Sequence, residues 1–208
     1  MANWKSITKK IKSAPVAKKA MKSKIKKVFD REKELLIQNF LKHPVTKEIK
    51  AGPIAPNESG TLGGYGNLFT FIGFPESADP IRDVLHLLTF ITKIKKVSSS
   101  TKPKDIKFNI SISVPSNSDF TLSAPLPWEG GKSWVLGIER GISGFGAYMY
   151  DKMYASGSRS GRGFQAKKPG VGTKSYNKTQ KIRAGGFRNV KYMSEMINRF
   201  YARLKREE

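Results

Sequence analysis

The stretch DPIRDVLHLLTFITKIKK, residues 79–96, predicts the central helix of the fold. Asp79 is a favoured helix-capping residue, and Pro80 follows it at the first helical position, where proline is best tolerated. Apolar side chains then recur every three or four residues, which places them on one face of a helix. They are Ile81, Val84, Leu85, Leu88, Ile91 and Ile94. We therefore expect a helix over residues 80–96 that buries this face.

Beyond this helix the hydrophobic pattern changes to a period of two, which is typical of β-strands. Apolar and polar residues alternate over 107–114, and again over 120–126 after a short run of turn-forming residues. Residues 134–138 predict a third strand. The expected fold is therefore α+β. In it, an antiparallel β-meander within residues 107–140 packs against the central helix and turns its polar faces to water or to another subunit.

Helical periodicity returns on both sides of this core. Residues 16–41 predict a long helix, and residues 189–205 predict a C-terminal amphipathic helix, because their apolar positions recur mostly at three and four residues. Between the first helix and the core, residues 51–66 are rich in Gly and Pro, so we expect a loop there.

The chain divides by charge into a neutral middle and two cationic ends. Residues 1–50 have a net charge of +11, residues 51–151 a net charge of zero and residues 152–208 a net charge of +12, which together give +23. We accordingly distinguish a basic N-terminal arm (1–24), an α+β core (25–151), a basic loop rich in Gly, Ser and Arg (152–188) and the C-terminal helix (189–208). We expect both basic segments to become ordered only against a partner, because like charges repel.

The composition argues against several classes of protein. The chain has no cysteine, so it has no disulfide, thiolate metal site or cysteine nucleophile. His43 and His86 are the only histidines and are not at ligand spacing, so we expect no metal site. The most apolar stretch, 84–94, is about half the ~20 residues that a membrane-spanning helix needs. The acidic residues fall mostly at predicted turns and caps, so we expect neither a cofactor nor enzymatic activity.

Two glycine-rich segments have part of a nucleotide-binding motif. The tetrapeptide GGKS at 130–133 matches the end of a phosphate-binding loop, but Leu126 stands where that motif needs its first glycine. The motif also needs a helix next, whereas a strand is expected here, so we expect a hairpin turn. Residues 60–66 contain four glycines in a spacing unlike the dinucleotide fingerprint, and we expect a tight loop with positive φ angles.

The basic segments are the clearest indication of function. A single charged run is usually only a solvated surface, but two basic segments around a neutral core favour an anionic partner. Lys and Arg neutralise phosphates, and interleaved aromatic side chains can stack on bases. We expect contacts with nucleic acid or an acidic protein surface at twelve positions. They are Lys9, Lys10, Lys18, Lys19, Lys26, Lys27, Arg159, Arg162, Lys167, Lys168, Arg183 and Arg188.

The order of motifs resembles that of a known family. A basic N-terminal helix leads to the turn SGTL at 59–62, and an Asn-Leu-Phe strand follows at 67–69. After the central helix and the meander come the strand WVLGIERG at 134–141, a Gly/Arg-rich loop and an amphipathic C-terminal helix. This order is similar to that of the small neck or tail-completion proteins of long-tailed bacteriophages, which join the head to the tail tube. In that family a Thr-Gly-Leu-type turn follows the first helix, where this chain has Gly-Thr-Leu.

The resemblance implies a structural protein of the virion, assembled in the host cytoplasm, that is not an enzyme and binds no cofactor. It implies a homo-oligomeric ring at the head–tail junction or in the tail. Its neighbours would be other virion proteins, namely an adaptor, a tail terminator or the tail tube. Genomic DNA would be a further partner through the basic segments, and no membrane would be involved.

The alternative interpretation is a nucleic-acid-binding protein with basic tails, such as a ribosome-associated protein. A ring component should form a defined oligomer whether or not nucleic acid is present. A tailed RNA-binding protein should stay monomeric and bind polynucleotide with a steep dependence on salt.

Overall fold

The structure, a computed structural model, describes residues 15–62, 67–101, 106–127, 129–140 and 187–206. The basic arm before residue 15 and the basic loop up to residue 186 lie outside the described residues, so the expectations for their order stay predictions.

Within these ranges the chain forms seven helices and four strands. In chain order they are α1 (Pro15–Lys42), α2 (Pro44–Lys50), α3 (Leu68–Ile72), α4 (Pro80–Ile91), β1 (Lys93–Thr101), β2 (Ile106–Ser113), α5 (Asn117–Ser123), β3 (Pro125–Leu126), β4 (Glu129–Ser133), α6 (Trp134–Arg140) and α7 (Met193–Arg206). The strands make two separate two-stranded antiparallel sheets. The expected α+β class is confirmed.

The long first helix and the C-terminal helix are both present and pack against each other. Phe29 of α1 meets Phe200 of α7 edge to face, with ring centroids 5.8 Å apart. Arg203 Nη1 of α7 lies 3.7 Å from Oε2 of Glu32, a carboxylate that is almost fully buried in α1. Arg31 Nη2, on α1 itself, lies 2.9 Å from Oε1 of Glu32, so this buried charge has partners on both helices.

The long first helix matches the expected bounds of 16–41 to within one residue at each end, whereas the C-terminal helix begins later than expected. α1 continues without interruption through residue 24, where we expected the arm to meet the core. The C-terminal helix begins at Met193 rather than at residue 189. It begins there because Oε1 of Glu139, on α6, accepts hydrogen bonds from the backbone N–H groups of Tyr192 and Ser194, at 3.1 and 2.6 Å. A helix starts where its first N–H groups find acceptors.

The central helix is confirmed at its start and is shorter than expected at its end. The Asp79 side chain accepts a hydrogen bond from Arg82 N at 3.1 Å, so it caps α4 as predicted. The helix ends at Ile91, however, and Thr92 has an extended ψ of 100° that leads into β1. The expectation of helix up to residue 96 is wrong, because that segment pairs with β2 and cross-strand pairing outweighs helical spacing.

β1 and β2 form a long antiparallel hairpin. Ile94 pairs with Ile112, and Val97 pairs with Ile110. A register shift between these pairs adds one residue to β1, and such a bulge brings Ile94 and Val97 onto the same face although they are three residues apart. β2 confirms the strand expected over 107–114.

The expected β-meander is not confirmed, because the segment after β2 begins with a helix. Residues 117–123 form α5 instead of a strand. Ser116 and Asp119 form a capping box there, in which each side chain accepts a hydrogen bond from the other residue's backbone N–H. The Ser116 hydroxyl, which donates to Asp119 Oδ2 at 2.6 Å, and the Ser116 N–H together hold the pKa of the Asp119 carboxyl below its ordinary value. A local capping signal thus outweighs the alternating pattern of residues 120–126.

Two further segments that we expected to be strands are also helical. Residues 134–140 form α6, and residues 68–72 form α3 after the Asn67 side chain accepts a hydrogen bond from Thr70 N at 2.9 Å. All of α3 and four of the seven residues of α6 are buried, and apolar runs of about five residues fit a buried helix as well as a strand. The strands at 67–69 and 134–141 belonged to the family resemblance, so those two parts of it are corrected.

The core joins α4, α6 and the terminal helices around buried aromatic side chains. Trp134 and Tyr192 are fully buried, with ring centroids 6.4 Å apart. Tyr192 Oη lies 2.6 Å from Thr46 Oγ1, and burial raises the pKa of Tyr192, so the phenol stays protonated. Leu88 at the centre of α4 is fully buried in the same cluster, as its place on the apolar face predicts.

Candidate binding surface

The N-terminal half of α1 is a helix covered with lysines. Six lysines occupy residues 18–27, and no acidic residue precedes Asp30. All six are exposed except Lys18, which is half-buried. Such a surface has a positive potential that attracts anions, and salt screens the attraction.

The structure describes five of the twelve predicted contact residues. Lys18, Lys19, Lys26 and Lys27 lie on this half of α1. Arg188 precedes α7, has an exposed side chain and donates its backbone N–H to Thr61 O at 2.8 Å. It therefore lies on a segment that is tied to the loop before α3. The other seven lie outside the described residues: Lys9, Lys10, Arg159, Arg162, Lys167, Lys168 and Arg183.

A groove of about 520 Å³ lies between α1 and the start of β1. We call it the α1–β1 groove. Its described lining is Lys22, Lys26, Phe29, Asp30, Lys33, Thr92, Lys93, Ile94 and Val97. The residues from α1 recur at helical intervals, so they form one wall, and the start of β1 forms the other.

The α1–β1 groove is apolar inside and positively charged along its edges. Phe29 is buried and Ile94 and Val97 are half-buried, whereas Lys22 and Lys93 are exposed. Four lysines face a single carboxylate, that of Asp30, among the described lining residues. The groove therefore combines apolar surface with an excess of positive charge.

Two polar groups at the end of α4, the carbonyl of Thr89 and the hydroxyl of Thr92, differ in whether they have a hydrogen-bond partner among the described residues. Lys33 Nζ donates a hydrogen bond to Thr89 O at 2.6 Å, and so satisfies a carbonyl in the last turn of the helix. Thr92 is fully buried, and its Oγ1 has no hydrogen-bond partner among the described residues. Most buried hydroxyls have a hydrogen-bond partner, so a buried hydroxyl without one, as at Thr92, is unusual.

The β1–β2 hairpin presents a second surface. Its base packs on the core through Ile94 and Ile112, but Ile110 on the same face is 41% exposed. Within the described chain, the outer edges of β1 and β2 pair with no further strand. Two-stranded hairpins are marginally stable in water, and unpaired edges are templates for another strand.

A buried carboxylate organises the loop before α3. Glu48 is fully buried and accepts hydrogen bonds from Asn57 Nδ2 at 2.9 Å, Ser59 N at 2.8 Å and Leu68 N at 2.7 Å. Asn67 Nδ2 donates to Pro53 O and Ala55 O, at 2.7 and 3.0 Å. All three hydrogen bonds to Glu48 come from donors of the chain itself, so Glu48 has a structural role.

Neither glycine-rich segment matches a nucleotide-binding motif, but the structure changes one of the reasons given for residues 130–133. Residues 130–133 lie in β4, with Gly131 at a φ of 76°, and α6 follows directly. The expectations of a hairpin turn at 130–133 and of a strand after it are therefore wrong. Two objections to a phosphate-binding loop remain: Leu126 stands in place of the first glycine, and residues 130–133 belong to a paired strand. Gly60 has a φ of 66°, which confirms a positive φ angle in the earlier loop.

The histidines have structural positions. His43 Nδ1 accepts a hydrogen bond from Val45 N at 3.2 Å and caps α2. Partial burial lowers the pKa of His43, although the charge of Glu195 opposes the effect. His86 is exposed on α4 and contacts Phe90. Within the described ranges, no group of three or more potential ligand residues is placed to hold a metal ion.

The α1–β1 groove was not predicted from the sequence. Lys93 and Ile94 were expected at the end of the central helix, so the wall that β1 forms was not foreseen. One signal was present, since Lys22 and Lys26 are four residues apart and therefore share a helix face. The unpaired hydroxyl of Thr92 depends on burial and could not be read from sequence.

Comparison of the chain with protein-family profiles, with curated proteins and with solved structures finds no match. None of the helices in the described ranges is long and apolar enough to span a membrane.

Proposed function

We propose that this chain is a structural protein that works by assembly. In the specific form of the proposal, it is a component of a bacteriophage virion that forms an oligomeric ring at the head–tail junction, as a neck or tail-completion protein, or in the tail. It would assemble in the host cytoplasm and contact virion proteins such as an adaptor, a tail terminator or the tail tube. The proposal includes neither a catalytic reaction nor a cofactor.

The observation that carries this proposal is the β1–β2 hairpin. Its strands have 9 and 8 residues, yet only the base of its apolar face packs on the core. A hairpin of this length with an uncovered apolar face gains stability when a neighbouring subunit covers it or pairs with its edge. Ring assembly supplies such a neighbour to every subunit, because each subunit contacts two others in the same way.

Exposed apolar side chains elsewhere support an assembling surface. Phe90 on α4 is 69% exposed, Leu122 on α5 is 81% exposed and Ile54 in the loop is 87% exposed. Single exposed apolar residues are ordinary on soluble proteins. Here they add exposed apolar area to that of the hairpin.

Mass photometry of the nuclease-treated chain tests the proposal. We expect a defined oligomer in the absence of nucleic acid, and we expect Ile110→Lys to convert it to monomer, because the new charge would be buried in the subunit contact. Ser111→Lys is the matched control. Ser111 is exposed and next in sequence, so its side chain lies on the opposite face of β2 and the oligomer should persist. A chain that is monomeric at every concentration would refute ring assembly.

The lysines of α1 favour the second candidate, a nucleic-acid-binding protein with basic tails. Exchanging Lys18, Lys19, Lys26 and Lys27 for Ser should then weaken binding to DNA or RNA. It should also flatten the slope of log affinity against log salt by about 0.9 for each duplex phosphate that the variant no longer neutralises. Unchanged polynucleotide affinity in this variant would remove α1 from any nucleic-acid interface.

A further inference from the structure

We propose that the α1–β1 groove binds an extended acidic segment of a partner protein. The segment adds as a strand to the free edge of β1, buries aliphatic side chains on Ile94 and Val97, and places carboxylates beside Lys22, Lys26 and Lys93. This site lies within one subunit, so the proposal does not depend on whether the chain forms a ring.

The position of the groove makes β1 the strand that would be extended. Its described lining includes residues from Thr92 to Val97 but none from β2. β2 pairs with one edge of β1, and no strand among the described residues pairs with the other edge. That edge has backbone N–H and C=O groups without strand partners among the described residues, and an added strand would satisfy them.

The size and lining of the groove suit a peptide. A volume of about 520 Å³ lies within the roughly 300–1,000 Å³ of typical ligand clefts, so it admits a few side chains and not a folded domain. The apolar surface is aliphatic on the β1 side, and Phe29 is only 5% exposed, so no ring face is available for stacking on a base.

Charge selects the partner. Four lysines around one carboxylate attract an acidic segment and repel a basic one. The chain itself has a net charge of +23, and its residues 1–14 contain four lysines and no acid. Neither that segment nor a second copy is therefore a favourable occupant, and the partner is a different, acidic chain.

Fluorescence anisotropy with the full-length chain tests this proposal. The probe is a labelled peptide, Glu-Val-Glu-Ile-Glu-Val-Glu, and the matched control peptide has Ser in place of Val and Ile at the same charge. We expect the Ser peptide to bind about tenfold more weakly or worse, because it lacks the side chains that cover Ile94 and Val97. Hydrogen exchange should slow at the amides of residues 93–97 when the first peptide binds.

Two charge-reversal variants separate the groove from diffuse attraction. Lys22→Glu combined with Lys26→Glu should weaken binding of the Val/Ile peptide about tenfold or more. Lys47→Glu combined with Lys50→Glu changes the net charge equally at exposed lysines on α2, outside the groove, and should change the affinity far less.

Three results would overturn the proposal. The two peptides could bind equally well, or the two double variants could weaken binding equally, and either result would mean diffuse charge attraction. The third is an oligodeoxythymidine that binds more tightly than the peptide and loses its affinity in the groove variant, which would assign the groove to nucleic acid instead.

Discussion

Replacing Glu48 with alanine should destabilise the fold severely, because three hydrogen-bond donors would lose the carboxylate that they share as acceptor. Leu68 is fully buried, so its N–H would be left without a partner at a cost of about 1–3 kcal/mol. Asn57 and Ser59 are half-buried, and water can replace part of what they lose, so we assign each about 1 kcal/mol. The expected sum is about 3–5 kcal/mol, a large part of the 5–15 kcal/mol typical of a domain.

Urea denaturation followed by circular dichroism measures this loss. An unchanged m-value would show that the free energies of unfolding of the variant and the original chain can be compared directly. Glu48→Gln keeps one acceptor oxygen and should lose less than Glu48→Ala. Glu58→Ala removes an exposed carboxylate from the same loop and should change stability by no more than about 0.5 kcal/mol. A loss below about 1 kcal/mol for Glu48→Ala would refute the role given to this carboxylate.

Three further predictions follow from other contacts. Because the folded-state pKa of His43 lies below 6.5, the stability that it contributes should be fully present above that pH and should be lost as the pH falls through the folded-state pKa. His43→Asn can still cap α2 but does not titrate, so it should remove this part of the pH dependence of the urea midpoint. A urea midpoint that depends on pH equally in both proteins would contradict this prediction. Leu88→Ala should cost about 2–5 kcal/mol by the same measurement, whereas Phe90→Ala, at an exposed site on the same helix, should cost no more than about 0.5 kcal/mol. Glu139→Ala should cost about 1–2 kcal/mol and speed hydrogen exchange at the start of α7, and unchanged exchange there would show that the helix start does not need this acceptor.

The local signals that predicted correctly are those with a physical cause within a few residues. Asp79 and Pro80 marked the start of α4 because capping and a fixed φ angle act within one turn. The spacing in the capping box of Ser116 and Asp119 was also readable, yet the alternation of residues 120–126 was given more weight. That error shows that a cap is the stronger evidence when an apolar pattern is short.

The candidate binding surfaces were predictable only in part. The lysines of α1 follow from composition and helical spacing, so Lys18, Lys19, Lys26 and Lys27 were found in advance as a basic surface. Their neighbours across the groove were not, because Lys93 and Ile94 enter it only if the chain turns from helix to strand at Thr92. The seven predicted contacts outside the described residues stay predictions.

Three features can be read from the order of residues alone: the helical periodicities of α1, α4 and α7, the strand alternation of β2, and the separation of charge between a neutral middle and basic ends. These features depend on the order of side chains along the chain, which fixes the face on which each side chain lies once an element forms. Three other features depend on long-range contacts: residues 93–101 are a strand, residues 134–140 are a helix, and Glu48 is buried. Those outcomes depend on which distant segments supply pairing, packing and hydrogen-bond partners, and a short apolar run is compatible with either conformation until those partners are in place.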